Sequence, residues 1–221
     1  MITYPKIDTL YDRNPVTRRV EVQSLRRPEF DLIDYWHVTE KIDGTNVRVG
    51  WADGRVTFAG RTDRAELPAP LLAHLTAVFT AEKLSDCFEV APGQEVVLFG
   101  EGYGEKIQGN PLGRVGVSFR LFDVWVGGHW LEPENITDVA GKLAVPEAPV
   151  LQDYLAILPI SAARLADCIP TSHVAREEGL SDVRAEGIIA RTVPGLFCRD
   201  GRRLMWKLKF KDFDLPRGQV Q

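Results

Sequence analysis

The residues best suited to chemistry lie in the stretch Glu40-Lys41-Ile42-Asp43-Gly44-Thr45-Asn46. A lysine amine is a nucleophile once unprotonated, and burial or nearby cations favour that form. The glycine lets the backbone come close to a bound ligand. Taken alone, the pattern also describes a surface hairpin with an Asp-Gly turn. A second stretch, Lys207-Leu208-Lys209-Phe210-Lys211, places lysines at alternate positions. In a strand they share one face, and a row of like charges is costly unless an anion such as a phosphate chain binds it. The row would also favour the neutral amine of a nearby nucleophilic lysine. The plainer reading is an edge strand guarded by lysines. Two glutamates stand next to glycines in apolar surroundings: Glu101 in Phe99-Gly100-Glu101-Gly102-Tyr103-Gly104, and Glu186 in Ala185-Glu186-Gly187-Ile188-Ile189-Ala190-Arg191. A carboxylate entering an apolar strand suits a hydroxyl or a metal ion; otherwise it is a partly exposed surface group. Phe119-Arg120-Leu121-Phe122-Asp123-Val124 offers an aromatic platform for a base, or is plain core.

These residues need strands and turns to hold them. Tyr35–Lys41 reads as a strand with Trp36 and Val38 on one face. Asn46–Trp51 and Arg55–Ala59 read as a hairpin around Ala52-Asp53-Gly54. Leu71, Leu72, Leu75, Val78 and Phe79 repeat at helical spacing over Ala69–Phe79. Glu95–Gly100, Val117–Val126, His129–Leu131, Ala185–Arg191 and Arg203–Phe210 read as strands. Pro133–Leu143, Ser161–Cys168 and His173–Glu178 read as helices, the first opened by proline. Val145–Val150 has the composition of a linker. Strands dominate and helices intervene irregularly, so the expected class is α+β, with mostly antiparallel sheets flanked by helices.

Composition bounds the function. A formal net charge of −4 argues against a nucleic-acid partner, but the charge is unevenly spread. Residues 1–30 carry six basic side chains (Lys6, Arg13, Arg18, Arg19, Arg26, Arg27) against four acidic ones, and residues 199–217 carry seven against three. Both segments are basic and the middle is acidic, which allows a local phosphate-binding face; the alternative is ordinary solvated charge. The three cysteines (Cys87, Cys168, Cys198) are too few and too scattered for a disulfide framework or a cysteine zinc site. The four histidines lack ligand spacing. No apolar run approaches the ~20 residues of a membrane span, and Met1–Lys6 has no signal-peptide character. The expectation is a soluble, cytoplasmic, monomeric protein, one domain over 1–221 with residues 1–30 packed on it as a basic segment.

The order of the motifs adds what none of them carries singly. Lys-x-Asp-Gly, an arginine strand, Gly-Glu, Phe-Asp, Glu-Gly-Ile-Ile-Ala-Arg and Lys-x-Lys follow one another from Glu40 to Lys211. This order resembles the covalent nucleotidyltransferase superfamily of ATP-dependent DNA ligases, RNA ligases and mRNA capping enzymes. The form Glu-Lys-Ile-Asp-Gly-Thr-Asn is most similar to RNA ligases of the RNA ligase 2 and editing-ligase type, and Gly60-Arg61-Thr62 resembles their next motif. The resemblance implies an ATP-grasp-like nucleotidyltransferase fold and an ATP-dependent RNA ligase that uses Mg²⁺ or Mn²⁺. It would join 5′-phosphate and 3′-hydroxyl ends of RNA, nicked duplex among them, as in RNA repair. Lys41 would carry AMP. Glu40 and Ile42 would border the adenine, Phe122 would stack on it and Glu101 would hold the ribose. Arg61 would contact ribose or a nucleic-acid phosphate, and Asn46 the phosphate or the RNA 3′ end. Glu186 would lie near the metal, directly or through water. Lys207 and Lys209 would bind the α-phosphate, with Lys211 as the alternative register. The chain runs ten residues past Lys211, which leaves the OB or helical domain of longer relatives without room. The expectation is therefore a minimal form in which Arg18, Arg19, Arg26 and Arg27 replace some nucleic-acid contacts. A minimal DNA ligase, a GTP-using capping-type enzyme and a catalytically silent RNA- or nucleotide-binding module are the competing readings.

Overall fold

In a computed structural model, which describes residues 1–155 and 159–213, the chain folds into two units. Strands β1 (Asp8–Thr9), β2 (Tyr11–Arg13) and β3 (Val20–Leu25) come first, and a 3-10 turn (Pro28–Leu32) leads into β4 (Tyr35–Lys41). β5 (Thr45–Ala52) and β6 (Arg55–Ala59) form a hairpin, followed by α1 (Ala69–Val78) and α2 (Ala81–Cys87). β7 (Val96–Gly104), β8 (Val117–Val126) and β9 (His129–Trp130) precede α3 (Pro133–Leu143). Then come β10 (Val150–Leu155), α4 (Ala162–Cys168), α5 (His173–Glu177), β11 (Gly187–Arg191), β12 (Met205–Lys209) and a 3-10 turn (Phe210–Phe213).

The first unit comprises Met1–Tyr4 and Asp43–Ala148. Its antiparallel sheet has the order β6-β5-β7-β8-β9. Alternation along β5 sends Val47, Val49 and Trp51 to one face, where they pack with Leu71 and Leu75 of α1 and Ile136 and Val139 of α3. Ala52 pairs with Arg55, and the two residues between them, Asp53 and Gly54, both have positive φ (45° and 75°). That is the primed turn that matches the twist of a hairpin.

The second unit comprises Pro5–Ile42 and Pro149–Gln221. Its sheet has the order β1-β12-β11-β4-β10, antiparallel except where β1 runs parallel to β12. Trp36 and Val38 of β4, Ile188 and Ala190 of β11 and Trp206 and Leu208 of β12 share its core with Phe30, Leu165 and Ile169. The opposite face carries Lys41, Gly187, Lys207 and Lys209.

The single domain expected over 1–221 is thus built as two units. Residues 1–30 divide between them: Met1–Tyr4 join the first, and the rest enters the second as β1, β2 and β3. The stretch read as a linker, Val145–Val150, contains the Ala148–Pro149 crossing between units. Among the described residues, no helix is long and apolar enough to cross a membrane.

Candidate active site

Three charged residues meet on the face of the second unit's sheet opposite its core. Lys41 ends β4, Glu186 immediately precedes β11 and Lys209 ends β12. The register pairs Gly187 with Lys41 on one side and with Lys209 on the other. The two lysines therefore flank a residue without a side chain, and both reach the carboxylate beside it. Lys41 Nζ lies 2.6 Å from Glu186 Oε2, and Lys209 Nζ bonds to Glu186 Oε1. Gly187 has to be glycine. Its φ is +156°, and a Cβ would stand 2.1 Å from the Leu208 carbonyl oxygen.

Burial pushes the Glu186 carboxyl up, but the ammonium groups of Lys41 and Lys209 outweigh it and hold the group below the ordinary carboxylate range. The Lys209 amine is lowered by its own burial and then by the charge of Lys41, with Glu186 opposing. Two cations around one anion leave an excess positive charge. At about 4 Å and an effective dielectric of about 20, each further unit of negative charge brought there gains roughly 4 kcal/mol per cation before desolvation. A phosphate satisfies such a cluster.

Lys207 lies two residues before Lys209 on the same face of β12, opposite Ile189. Lys211 departs from expectation. It lies in the 3-10 turn Phe210–Phe213, so the strand carries two lysines rather than three. Phe210 N–H donates to the Glu186 carbonyl at the point where the turn begins.

The side chain of Glu40 goes the other way. It shares the core side of β4 with Trp36 and Val38 and is 2% exposed. It accepts hydrogen bonds from Ser172 Oγ (2.5 Å), His173 N (2.8 Å) and Val174 N (3.3 Å), satisfying the start of α5. Burial pushes its carboxyl up, partly offset by these donors. The Glu40 side chain therefore anchors the strand residue next to Lys41. Ile42 is buried at 4% exposure. Gly44 is required by protein rather than ligand: a Cβ there would stand 2.2 Å from the Gly102 carbonyl oxygen of β7.

The other expected residues lie on the first unit. Asn46, Glu101 and Arg120 form one cross-strand row over β5, β7 and β8. They lie on the face opposite the helices. Asn46 Oδ1 is buried without a hydrogen-bond partner, an acceptor left for a hydroxyl or amine. Arg120 donates to the Tyr103 hydroxyl (3.2 Å) and the Glu147 carbonyl (3.0 Å).

Phe122 sits at a β-bulge. Leu121 pairs with Gly100 and Asp123 with Phe99, so Phe122 is the extra residue in the register. Bulges re-aim side chains, and this one leaves Phe122 half-buried. Tyr4 packs edge-on against it at 5.2 Å and donates to Asp123 Oδ2 at 2.7 Å. Arg61 is exposed in the loop after β6. The fully buried Arg48 fixes that loop, donating to the Gly60 carbonyl (2.8 Å) and Asp63 Oδ1 (2.7 Å) and, from Nη1, to the Ile2 carbonyl (3.2 Å). Arg48, Arg13, Tyr4 and Asp212 escaped the sequence reading because their partners are too distant in the chain to suggest them.

The four arginines expected to touch nucleic acid differ in exposure, with Arg27 half-buried and the other three exposed. Arg18 and Arg19 are exposed in the β2–β3 connection. Arg26 pairs with Asp12 (2.8 Å), and Arg27 with Asp8 (2.6 Å) and Asp200 (3.3 Å). Among the described residues, no group of three or more His, Cys, Asp or Glu could hold a metal ion. Glu186 is the carboxylate at the lysine cluster, and a divalent ion there would arrive on the oxygens of a bound phosphate.

The model of one protein family, RNA ligase, matches residues 34–209, a span that contains Lys41, Glu186 and Lys209. The chain belongs to the RNA ligase family. No curated protein matches it. Among solved structures, the RNA ligase family fold recurs in a Naegleria gruberi RNA ligase with PPi, at 21% identity and a TM-score of 0.63, covering 93% of this chain and 61% of that one. A glutamate-to-alanine mutant of that ligase with AMP and Mn gives the same values. A lysine-to-alanine mutant with ATP and Mn gives 20% identity and a TM-score of 0.62, covering 93% of this chain and 57% of that one. This RNA ligase family chain thus spans about three-fifths of the length of those structures, and the likeness establishes its α+β fold.

Proposed function

We propose that the chain is an ATP-dependent RNA ligase that forms a lysyl-AMP intermediate on Lys41. The observation that carries this reading is the lysine–glutamate–lysine cluster across Gly187, a nucleophile and a second cation held on one carboxylate. Glu186 holds Lys41 on one carboxylate oxygen and Lys209 on the other, and the Lys41 ammonium releases its proton to solvent as ATP binds. The neutral Lys41 amine attacks the α-phosphorus of ATP, the bond to the β-phosphate oxygen breaks and pyrophosphate leaves. Lys209, with Lys207 beside it on the strand, offsets the charge that develops on the α-phosphate oxygens. An oxygen of an RNA 5′-phosphate then displaces the lysine and takes the AMP. Finally a 3′-hydroxyl attacks the activated 5′-phosphorus, AMP leaves and the strand is sealed.

Asn46 with its unpartnered buried acceptor, Glu101 and the bulge residue Phe122 suit the ribose and the base. Glu40 contributes by holding Lys41 in place, and Ile42 as the apolar residue after it. Arg61, Arg18 and Arg19 are the exposed cations suited to nucleic-acid phosphates. A divalent ion, Mg²⁺ or Mn²⁺, would supply further charge neutralisation on the phosphates, with Glu186 as the nearest ligand. The solved relatives include forms with AMP and Mn, with ATP and Mn, and with PPi, which supports the same chemistry here.

The test is incubation with Mg²⁺ and α-labelled ATP, in parallel with α-labelled GTP, followed by 5′-phosphorylated RNA or DNA. Label should attach from ATP, be absent in Lys41→Ala and pass to RNA ends. Wild-type protein that takes no label would refute the reading. Transfer to DNA in preference to RNA would make the chain a DNA ligase.

A further inference from the structure

One arginine of the basic N-terminal segment has a buried partner. Arg13, at the end of β2, donates from Nη2 to Asp212 Oδ1 at 2.5 Å. Asp212 is 1% exposed. Its other oxygen, Oδ2, accepts from the backbone N–H of Lys209 at 2.9 Å. The next N–H along, that of Phe210, donates to the Glu186 carbonyl at 3.1 Å. Both peptide groups at the end of β12 thus have fixed acceptors. One is the carboxylate that Arg13 holds. The other belongs to the residue whose side chain meets the Lys209 ammonium.

Arg13 is itself fixed. Its Nη1 donates to the Arg18 carbonyl at 2.9 Å, inside a tight loop in which Asn14 Oδ1 accepts from Val16 N and Thr17 N. Without Arg13, Asp212 would be a buried carboxylate lacking its counter-ion. Without the carboxylate, the Lys209 N–H would lose its acceptor where the strand gives way to a turn. A lysine that must meet a phosphate within a few tenths of an ångström tolerates little of that freedom.

We propose that Arg13 and Asp212 are positioning residues for Lys209: the guanidinium holds the carboxylate, and the carboxylate sets the end of β12 so that the Lys209 amine stands beside Glu186 and Lys41. This rests on the reading above, in which Lys209 serves the α-phosphate. It also gives part of the basic N-terminal segment a task inside the protein rather than on RNA.

The test uses the full chain with Asp212→Asn, Arg13→Gln and Arg13→Lys. Single-turnover labelling by ATP should slow by about 10- to 100-fold in the first two, as for a misplaced catalytic group. The ATP concentration for half-maximal rate should move far less, and Arg13→Lys should recover part of the loss. A second readout does not need activity: hydrogen exchange at the Lys209 backbone amide by NMR, which should speed up in Asp212→Asn. Folded Asp212→Asn protein that labels at the wild-type rate would overturn the proposal. If Asp212→Asn does not fold, Arg13→Gln decides by the same two measurements, since Arg13 is a more exposed side chain. If wild-type protein takes no label, the ligase reading fails, and an unchanged Lys209 amide exchange in the variants would overturn the positioning link independently.

Discussion

Adding one methyl group at Gly187 tests how the sheet builds the site. In Gly187→Ala the new Cβ would stand 2.1 Å from the Leu208 carbonyl oxygen, 2.7 Å from Lys209 Cα and 3.0 Å from the Leu208 carbonyl carbon. All three are backbone atoms, so no side chain can swing aside. A comfortable carbon–oxygen contact is about 3.3 Å, so β11 and β12 must part locally by about 1.2 Å. Overpacking of that kind costs about 1–3 kcal/mol. Alanine at a φ that glycine tolerates adds about 1–3 kcal/mol. Together the expected destabilisation is about 2–6 kcal/mol, a large share of the roughly 5–15 kcal/mol that holds a domain together. Parting the strands also draws Lys209 away from Glu186 and Lys41, so labelling by ATP should fall along with stability. Urea unfolding gives the first quantity as a lowered midpoint at constant slope, and gel autoradiography of the folded variant gives the second. A variant within about 1 kcal/mol of wild type that labels at the normal rate would refute the argument that the bare position between the two lysines sets the cluster.

Other perturbations follow from the same geometry. Gly141 lies inside α3 with nothing within 4 Å of where a methyl group would stand, so Gly141→Ala should raise stability by about 0.5–1 kcal/mol in urea melts. Glu186 and Glu40 should give opposite pH signatures. Glu186 is held below the ordinary carboxylate range, so its stabilisation is full above that range and is lost as pH falls through the folded value; Glu186→Gln should flatten the acid limb of a melting-temperature profile. Glu40 is pushed above that range, so the native state holds its proton more tightly than the unfolded chain and stability falls as pH rises through the folded value; Glu40→Gln should remove that decline. Arg18 and Arg19 should prove separable from Arg27. Alanine at the exposed pair should weaken RNA retention in filter binding and spare labelling, whereas alanine at the ion-paired Arg27 should lower the melting temperature.

Strong local patterns made much of this legible. Tyr35–Lys41, Val117–Val126 and Pro133–Leu143 form the elements that alternation and an N-terminal proline indicate, with the same bounds. The gathering of Lys41, Glu186 and Lys209 followed from motif order, because residues 145 and 23 positions from Glu186 share one sheet face. Elements with few buried residues were missed. β1 and β2 are two and three residues long, and α2 rests on Leu84 and a Thr80 cap. The direction of the Glu40 side chain was readable, since Trp36 and Val38 already assign even positions of β4 to the core, but its partners Ser172 and His173 were not. Lys211 was carried into the strand by its spacing, which cannot register that Phe210 opens a turn. Asp212 had no local signal: its partner Arg13 is 199 residues away.

The distance along the chain between Lys41 and its partners also sets an order of events in folding. Residues 43–148 supply nearly all of the first unit as one continuous stretch, which can complete its sheet while synthesis is still under way. The sheet that bears Lys41 has no such freedom. β4 can pair with β10 first, but it must wait for β11 and β12 to emerge before its other edge is filled and Glu186 and Lys209 reach its lysine. Pairing at that separation is slow to close. Lys41 is therefore made well before Glu186 and Lys209 and meets them only once they have emerged. A nascent or truncated chain lacking Glu186 and Lys209 carries Lys41 without its ion-pair partners.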